Sequence, residues 1–374
     1  MSQTGLATRQ ESEDIVLPRI NESVFLAFVL IARAVAGWAS RMRHCKESHV
    51  AGWRRHLIGV AASISVVLFL GLPLLGQVTP RQNLTEAYRL EREGKAAPAI
   101  MQLKSLLDSK SLDPAGIGKA WNVLGLAFED RGDFPASRHA FEQSIQAYEG
   151  VPNDPTDYAM ALDDFGELYV TTGQPGLAVR MMEKALHLYE ATRDHAGVAR
   201  ASSDLTGALL SQKKVREGRK NLDRAVKESR LTNDLDDDDL ATLASLQGWL
   251  AQCDGDLPTS VLKYQQSLDL LRKYYGEEHA STGWGYVLLG QVHAETGDLS
   301  RSLTEMVKGL SILDRTLNNQ DPRFLSAEIA YSRALDMAGK RSEAQSIRAN
   351  VEGQLKTFRN SQCVDCTVSV KAFR

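Results

Sequence analysis

Apolar residues follow two different patterns along the chain, and the change falls near residue 77. Residues 57–76 form one continuous run, LIGVAASISVVLFLGLPLLG, without a charged side chain. As a helix, a run of that length spans about 30 Å, the thickness of the hydrocarbon core of a bilayer. From Gln82 onward, apolar residues recur at three- and four-residue spacing, which is typical of helices that bury one face. The pattern predicts a transmembrane or signal helix followed by an all-α region.

The all-α region, residues 80–357, repeats itself with a period close to 42 residues. A small residue recurs in the first helix of six units at steps of 41, 40, 42, 42 and 42: Gly125, Gly166, Thr206, Gly248, Gly290 and Ser332. Turns are expected at Gly94, Gly132, Gly173, Gly255, Gly297 and Gly339, with Lys213 at this place in one unit. Neither helix of a unit can bury its apolar stripe alone, so neighbouring units must stack. We therefore predict an α-solenoid of about seven antiparallel helix-turn-helix units.

The unit WNVLGLAF shows how each repeat is built. Trp121, Leu124 and Phe128 lie on one face of the predicted first helix. Gly125 lets the second helix approach closely, and Gly132 permits a tight turn.

The motif W-x-x-L-G-x-x-F, followed by a glycine turn and a small–aromatic–small helix, resembles the tetratricopeptide repeat (TPR). The period of 42 residues and linkers such as YYGEEHAST, from Tyr274 to Thr282, are similar to the kinesin-light-chain type of this repeat. The first unit, 80–108, departs from the pattern, as a capping repeat would. The unit that contains Thr206 and Lys213 lacks both glycines.

The resemblance implies a protein or peptide partner bound in a concave groove, because members of this family bind peptides along the first helices of their units. Repeat alignment places seven residues on the groove side: Asn122, Asp163, Glu167, Trp249, Trp284, Gln291 and Arg333. The two tryptophans stand off the packing positions, so they either anchor a partner side chain or fill gaps between repeats. Asp163 and Glu167 lie one helical turn apart and either meet a basic residue or remain solvated.

The run at 57–76 is preceded by basic residues, which orient such a segment with that flank in the cytoplasm. We expect the repeats to lie outside the cytoplasm, either anchored to the membrane or secreted (periplasmic) after cleavage near Gly76. The basic residues are Arg41, Arg43, Lys46, Arg54 and Arg55.

The leader, residues 1–56, allows two further interpretations. A shorter apolar stretch at 24–39, interrupted by Arg33, is a candidate first membrane helix. Alternatively, translation starts at Met42 rather than Met1, since MRHCKESHVAGWRRH is a suitable basic region by itself.

Composition argues against nucleic acid as the partner. The hydrophobic fraction of 43% and the charged fraction of 24% are those of a folded protein. Residues 77–374 hold thirty-six basic and forty-two acidic side chains, whereas nucleic-acid-binding domains are basic.

The sequence shows no catalytic motif with the required spacing, and we predict neither an enzyme, nor a cofactor, nor a metal site. The acidic run Asp236–Asp239 lacks the spacing of a calcium loop and is expected to cap a helix. His293 occupies a packing position.

Cys363 and Cys366 form a C-x-x-C pair in the C-terminal tail, 358–374, which we expect to be extended. A local disulfide or a redox pair would use these thiols. The sequence favours a membrane-tethered or exported scaffold, with a cytoplasmic TPR regulator and a redox protein as the alternatives.

Overall fold

Fourteen α-helices follow one another through residues 79–149 and 155–362, the part of the chain that the computed structural model describes. They are α1 (Pro80–Arg92), α2 (Ala96–Asp108), α3 (Pro114–Asp130), α4 (Phe134–Glu149), α5 (Pro155–Thr171), α6 (Pro175–Thr192), α7 (His195–Ser211), α8 (Val215–Ser229), α9 (Asp237–Cys253), α10 (Leu257–Tyr275), α11 (Ala280–Glu295), α12 (Leu299–Thr316), α13 (Pro322–Met337) and α14 (Arg341–Gln362). Each odd-numbered helix packs against the next even-numbered one. The described residues thus form seven helical hairpins, which confirms the predicted solenoid.

The turns inside the hairpins lie where the sequence predicted them. All six turn glycines have a positive φ, from 68° at Gly132 to 86° at Gly297, and Lys213 adopts the same conformation with a φ of 62°. A side chain in this left-handed region costs about 1–2 kcal/mol. The fourth hairpin therefore keeps the turn of its neighbours at a conformational cost that they avoid.

Small residues in the first helix of each hairpin allow the second helix to pack closely, as predicted. A Cβ atom added at Gly125 would lie 2.8 Å from the ring of Phe141. At Gly290 it would lie 2.9 Å from the backbone oxygen of Ser302. Both distances are shorter than van der Waals contact, so any larger residue would push the helices apart.

Odd-numbered helices form the inner wall of the solenoid. Successive odd-numbered helices contact one another from α1 to α9 and again between α11 and α13. Even-numbered helices contact only their odd-numbered neighbours in the chain among the principal helix pairs. The inner wall is therefore built from the first helix of each hairpin.

The solenoid closes on itself between its second and seventh hairpins. The ring of Phe358 in α14 meets the ring of Phe134 in α4 edge to face, with centroids 5.5 Å apart, and both rings are buried. Before α13, the Asn318 side chain donates a hydrogen bond of 3.4 Å to the carbonyl oxygen of Arg131. These contacts join residues about two hundred positions apart, which stacking of adjacent repeats does not do.

A second closing contact joins the first and fifth hairpins. The Arg92 guanidinium at the end of α1 pairs with Asp236 at 3.1 Å and lies 5.0 Å from the ring centre of Tyr274. The Tyr274 hydroxyl donates to Asp236 at 2.7 Å. The array therefore completes one turn and encloses a space along its inner wall.

The last helix continues to Gln362, five residues beyond the predicted end of the repeats at 357. The leader 1–56, the stretches at 24–39 and 57–76, and the cysteines of the tail lie outside the described residues. Within residues 79–149 and 155–362, no helix combines the length and apolarity that crossing a membrane requires.

Candidate functional site

The inner wall encloses a cavity of ≈ 430 Å³, which we call the acidic chamber. Its lining comes mainly from α1, α3, α5, α7 and α9. Two arginines, Arg92 and Arg200, contribute to the lining together with nine carboxylates: Glu91, Asp130, Asp163, Asp164, Glu167, Asp204, Asp236, Asp238 and Asp239. The chamber therefore carries a large excess of potential negative charge.

Both arginines are engaged at the start of α9. Arg200 pairs with Asp239 at 2.9 Å and donates to the backbone oxygen of Asp234 at 2.9 Å, while Arg92 pairs with Asp236. Asp236 also caps α9, since its carboxylate accepts from the backbone N–H groups two and three residues later, which confirms the predicted capping role. The arginines thus neutralise one side of the chamber.

Three further carboxyl groups of the chamber, Asp163 and Glu167 on α5 and Asp204 on α7, have no such partner. None of the ion pairs that residues 79–149 and 155–362 form includes them. The three carboxyl groups lie close together, and each raises the pKa of another: Glu167 that of Asp163, Asp204 that of Glu167, and Asp163 that of Asp204. We call these three residues the carboxyl triad.

Asp163 is the most buried member of the carboxyl triad. Its side chain is 6% exposed, and its Oδ1 atom has no hydrogen-bond partner. Burial, followed by the neighbouring carboxylates Glu167 and Asp164, holds the pKa of Asp163 well above its usual range. Glu167 also lines the chamber, and although its side chain is exposed, surrounding protein and the charge of Asp204 raise its pKa as well.

Other carboxyl groups of the chamber also favour the protonated form. Burial raises the pKa of Glu91 to about 8 and the pKa of Asp130 to about 6. Burial also raises the pKa of Asp164 to about 6, although the Asn122 amide donates to it at 2.6 Å. The free chamber therefore holds protons that acidic side chains in water release well below neutral pH.

A second cavity of ≈ 270 Å³, the Trp284 pocket, lies beside the acidic chamber. The two cavities share Asp238, Thr242 and Ser281 in their linings. Trp284, Leu288 and other apolar side chains of α9–α12 make up most of the pocket wall. An acidic compartment thus adjoins an apolar one along the same inner wall.

The structure brings together some of the residues predicted to line a groove. Asp163 and Glu167 line the acidic chamber, Asn122 bonds to Asp164 beside it, and Trp284 lines its pocket. Their roles in binding stay predictions.

The other predicted groove residues lie elsewhere. Trp249 is partly buried between two core clusters, which is the gap-filling alternative. Gln291 and Arg333 are partly buried and line neither of the two cavities. A binding role for these three side chains likewise stays a prediction.

Sequence reasoning missed four acidic residues of the chamber, Glu91, Asp130, Asp164 and Asp204, and the repeat register marks the last two of them. Asp164 and Asp204 stand two positions before the small residues Gly166 and Thr206. Units with Gly125, Gly248, Gly290 and Ser332 carry an apolar residue there. Charge at a position that is otherwise apolar is the signal that could have found them.

Among the residues considered for metal or catalytic chemistry, those in the described part of the chain have structural roles. His293 is buried and its Nδ1 atom lies 2.6 Å from Glu305, in agreement with the predicted packing role. In the described part of the chain, no three His, Cys, Asp or Glu side chains converge in a metal-binding arrangement.

Comparison with known proteins supports the TPR architecture. Residues 116–191 match the tetratricopeptide repeat family. The predicted repeat type is confirmed for residues 116–191, and the predicted all-α solenoid is confirmed for the described residues. The kinesin-light-chain subtype stays a prediction. A search of curated protein sequences gives no match.

Solved structures share the fold at low sequence identity. NprR in complex with its cognate peptide NprX has a TM-score of 0.57 at 13% identity, covering 84% of this chain and 93% of NprR. A Rap protein complexed with the Competence and Sporulation Factor has a TM-score of 0.55 at 10% identity, covering 80% and 88%. The Cut9–Hcn1 assembly of the APC/C has a TM-score of 0.52 at 16% identity, covering 80% of this chain and 52% of that one. At these identities the likeness concerns the fold alone.

Proposed function

We propose that this chain is a non-catalytic scaffold that binds an extended peptide segment of a partner protein along its inner wall. The adjacency of the acidic chamber and the Trp284 pocket carries this proposal, because together they offer a polar and an apolar compartment to one ligand. Specific peptide sites combine an apolar anchor position with a few polar groups in this way. NprR, whose structure shares the fold, was solved in complex with its cognate peptide NprX.

Replacing Trp284 with alanine is expected to weaken peptide binding at least about tenfold, as the loss of an aromatic anchor does. Short random peptides are selected on the immobilised full-length protein, and dissociation constants of the enriched peptides are measured for each variant. Trp121→Ala is the matched control, because Trp121 is also partly buried but packs against His139, away from both cavities. Equal binding by the two variants, with helix content unchanged, would place the site elsewhere.

We also propose that the scaffold is tethered to the membrane through 57–76, with its repeats outside the cytoplasm. The charge pattern of the leader supports this orientation. The alternatives are export after cleavage near Gly76, a cytoplasmic TPR regulator, and a redox protein that uses Cys363 and Cys366.

Cys253 provides a test of location because its side chain is exposed at the end of α9. A membrane-impermeant maleimide is expected to label Cys253 in intact cells, in a variant in which the other three cysteines are replaced by serine. The same variant carrying Cys253→Ser controls for background labelling. Protection of Cys253 until lysis would favour the cytoplasmic alternative.

A further inference from the structure

We propose that the carboxyl triad receives an arginine side chain of the bound segment, an inference that rests on the proposed function. The triad lines the acidic chamber, and none of its members forms an ion pair with the chamber's arginines. The chamber's own arginines are held at the start of α9 by Asp239 and Asp236. A cation supplied by a ligand would therefore complete the charge balance of this wall.

The buried Oδ1 atom of Asp163 points independently to a missing donor. A polar atom that is removed from water without a hydrogen bond costs free energy, and native proteins rarely leave one. This side chain lines the chamber, where the charged groups that act on it include the acids Glu167 and Asp164. An N–H donor supplied by a ligand in the chamber would give this carboxyl group the partner that it lacks.

An arginine fits this arrangement better than other cations do. Its planar guanidinium presents five N–H donors and bonds two carboxylates at once, whereas a lysine offers a single compact charge. The described residues do not converge in a metal-binding arrangement. The adjoining Trp284 pocket would accommodate an apolar residue next to the arginine, so both compartments would serve one segment.

In the free protein, the three acids favour the protonated form, and an incoming guanidinium would replace these protons. Burial and mutual repulsion raise the pKa of all three acids, so each holds a proton more readily than it does in water. A guanidinium among them favours the ionised carboxylates and would displace protons into solution. Proton release on binding follows directly from the arrangement.

The test uses three matched libraries of short peptides, with the central position fixed as arginine, its uncharged isostere citrulline, or leucine. Each library is incubated with the full-length protein, and the retained fraction is measured. We expect the arginine library to be retained at least roughly tenfold over the citrulline library, as for a desolvated charge pair. The triple variant Asp163→Asn, Glu167→Gln, Asp204→Asn is expected to lose this preference.

A second triple variant provides the control for net charge. Glu217→Gln, Asp223→Asn and Glu352→Gln remove three exposed carboxylates outside the chamber, and this variant should keep the preference for arginine. Equal loss in both variants, or equal retention in both, would mean nonspecific attraction and would overturn the inference. Preferential retention of the leucine library would overturn it and leave the proposed function standing. Failure to retain any library above a blocked surface would contradict the proposed function itself.

Discussion

Lowering the pH from 8 to 5 should raise the free energy of unfolding by at least about 3 kcal/mol, since each unit of pKa shift corresponds to about 1.4 kcal/mol. Burial raises the pKa of Glu91 to about 8, of Glu129 to about 7, and of Asp130 and Asp164 to about 6. The folded state therefore binds more protons than the unfolded state over this range. The resulting stability is complete below the unfolded pKa values and is lost as the pH rises through the folded ones.

Two groups limit the size and range of this effect. Burial lowers the pKa of His279 to about 4, so His279 contributes in the opposite sense below its unfolded pKa. Contacts with Lys308 and Tyr286 lower the pKa of Glu277 to about 2, so its contribution to stability is lost in stronger acid. Between pH 8 and pH 5, the stability gained by the four carboxyl groups with raised pKa values exceeds the stability lost through His279. Unfolding should therefore not be compared below pH 5.

Chemical denaturation at both pH values measures this prediction. Glu91→Gln should stabilise the protein at pH 8 and have little effect at pH 5, because glutamine mimics the protonated acid. Glu217→Gln, at an exposed position, should have little effect at either pH. Stability that is constant or rises between pH 5 and pH 8 would show that the chamber does not impose these protonation states.

Replacing Phe358 with alanine should lower the free energy of unfolding by about 3–5 kcal/mol, as for other buried phenylalanines. The region that this substitution loosens is more informative than the size of the loss. Because Phe358 packs against Phe134, its loss should loosen the closure and increase hydrogen exchange at residues 128–134, more than two hundred positions away in sequence. In an array with nearest-neighbour contacts alone, the effect would stay within the last hairpins.

Leu268→Ala is the matched control for this effect. Leu268 is fully buried in α10, within a core cluster that includes neither ring of the closing contact. We expect a loss of about 2–5 kcal/mol, with increased exchange centred on α10 and α11. If both variants changed exchange at 128–134 equally, the Phe134–Phe358 contact would have no special role in closure.

The repeat register made the hairpins predictable, but not their closure. The turn glycines are required by the backbone conformation of the turns, and Gly125 and Gly290 are required by close packing of two helices. Each of these requirements can be recognised from the sequence of one unit. The contact between Phe134 and Phe358 depends on small rotations accumulated over five hairpins. The residue pattern of a single unit does not show the total rotation that the hairpins accumulate.

The same reason explains which part of the site could be predicted. Asp163 and Glu167 were found because they project from one helix with a known register. Their association with Asp204 on the next odd-numbered helix requires the spacing between hairpins. Asp236 was correctly predicted to cap α9, but its pairing with Arg92 follows from the superhelical turn.

The contact between the second and seventh hairpins constrains how this chain can evolve. An open solenoid can lengthen by duplication of a repeat, because each unit meets only its neighbours. Here an additional unit between Phe134 and Phe358 would move one ring away from the other. The closed turn thus fixes the number of intervening units, and divergence should proceed by substitution within repeats rather than by changes in their copy number.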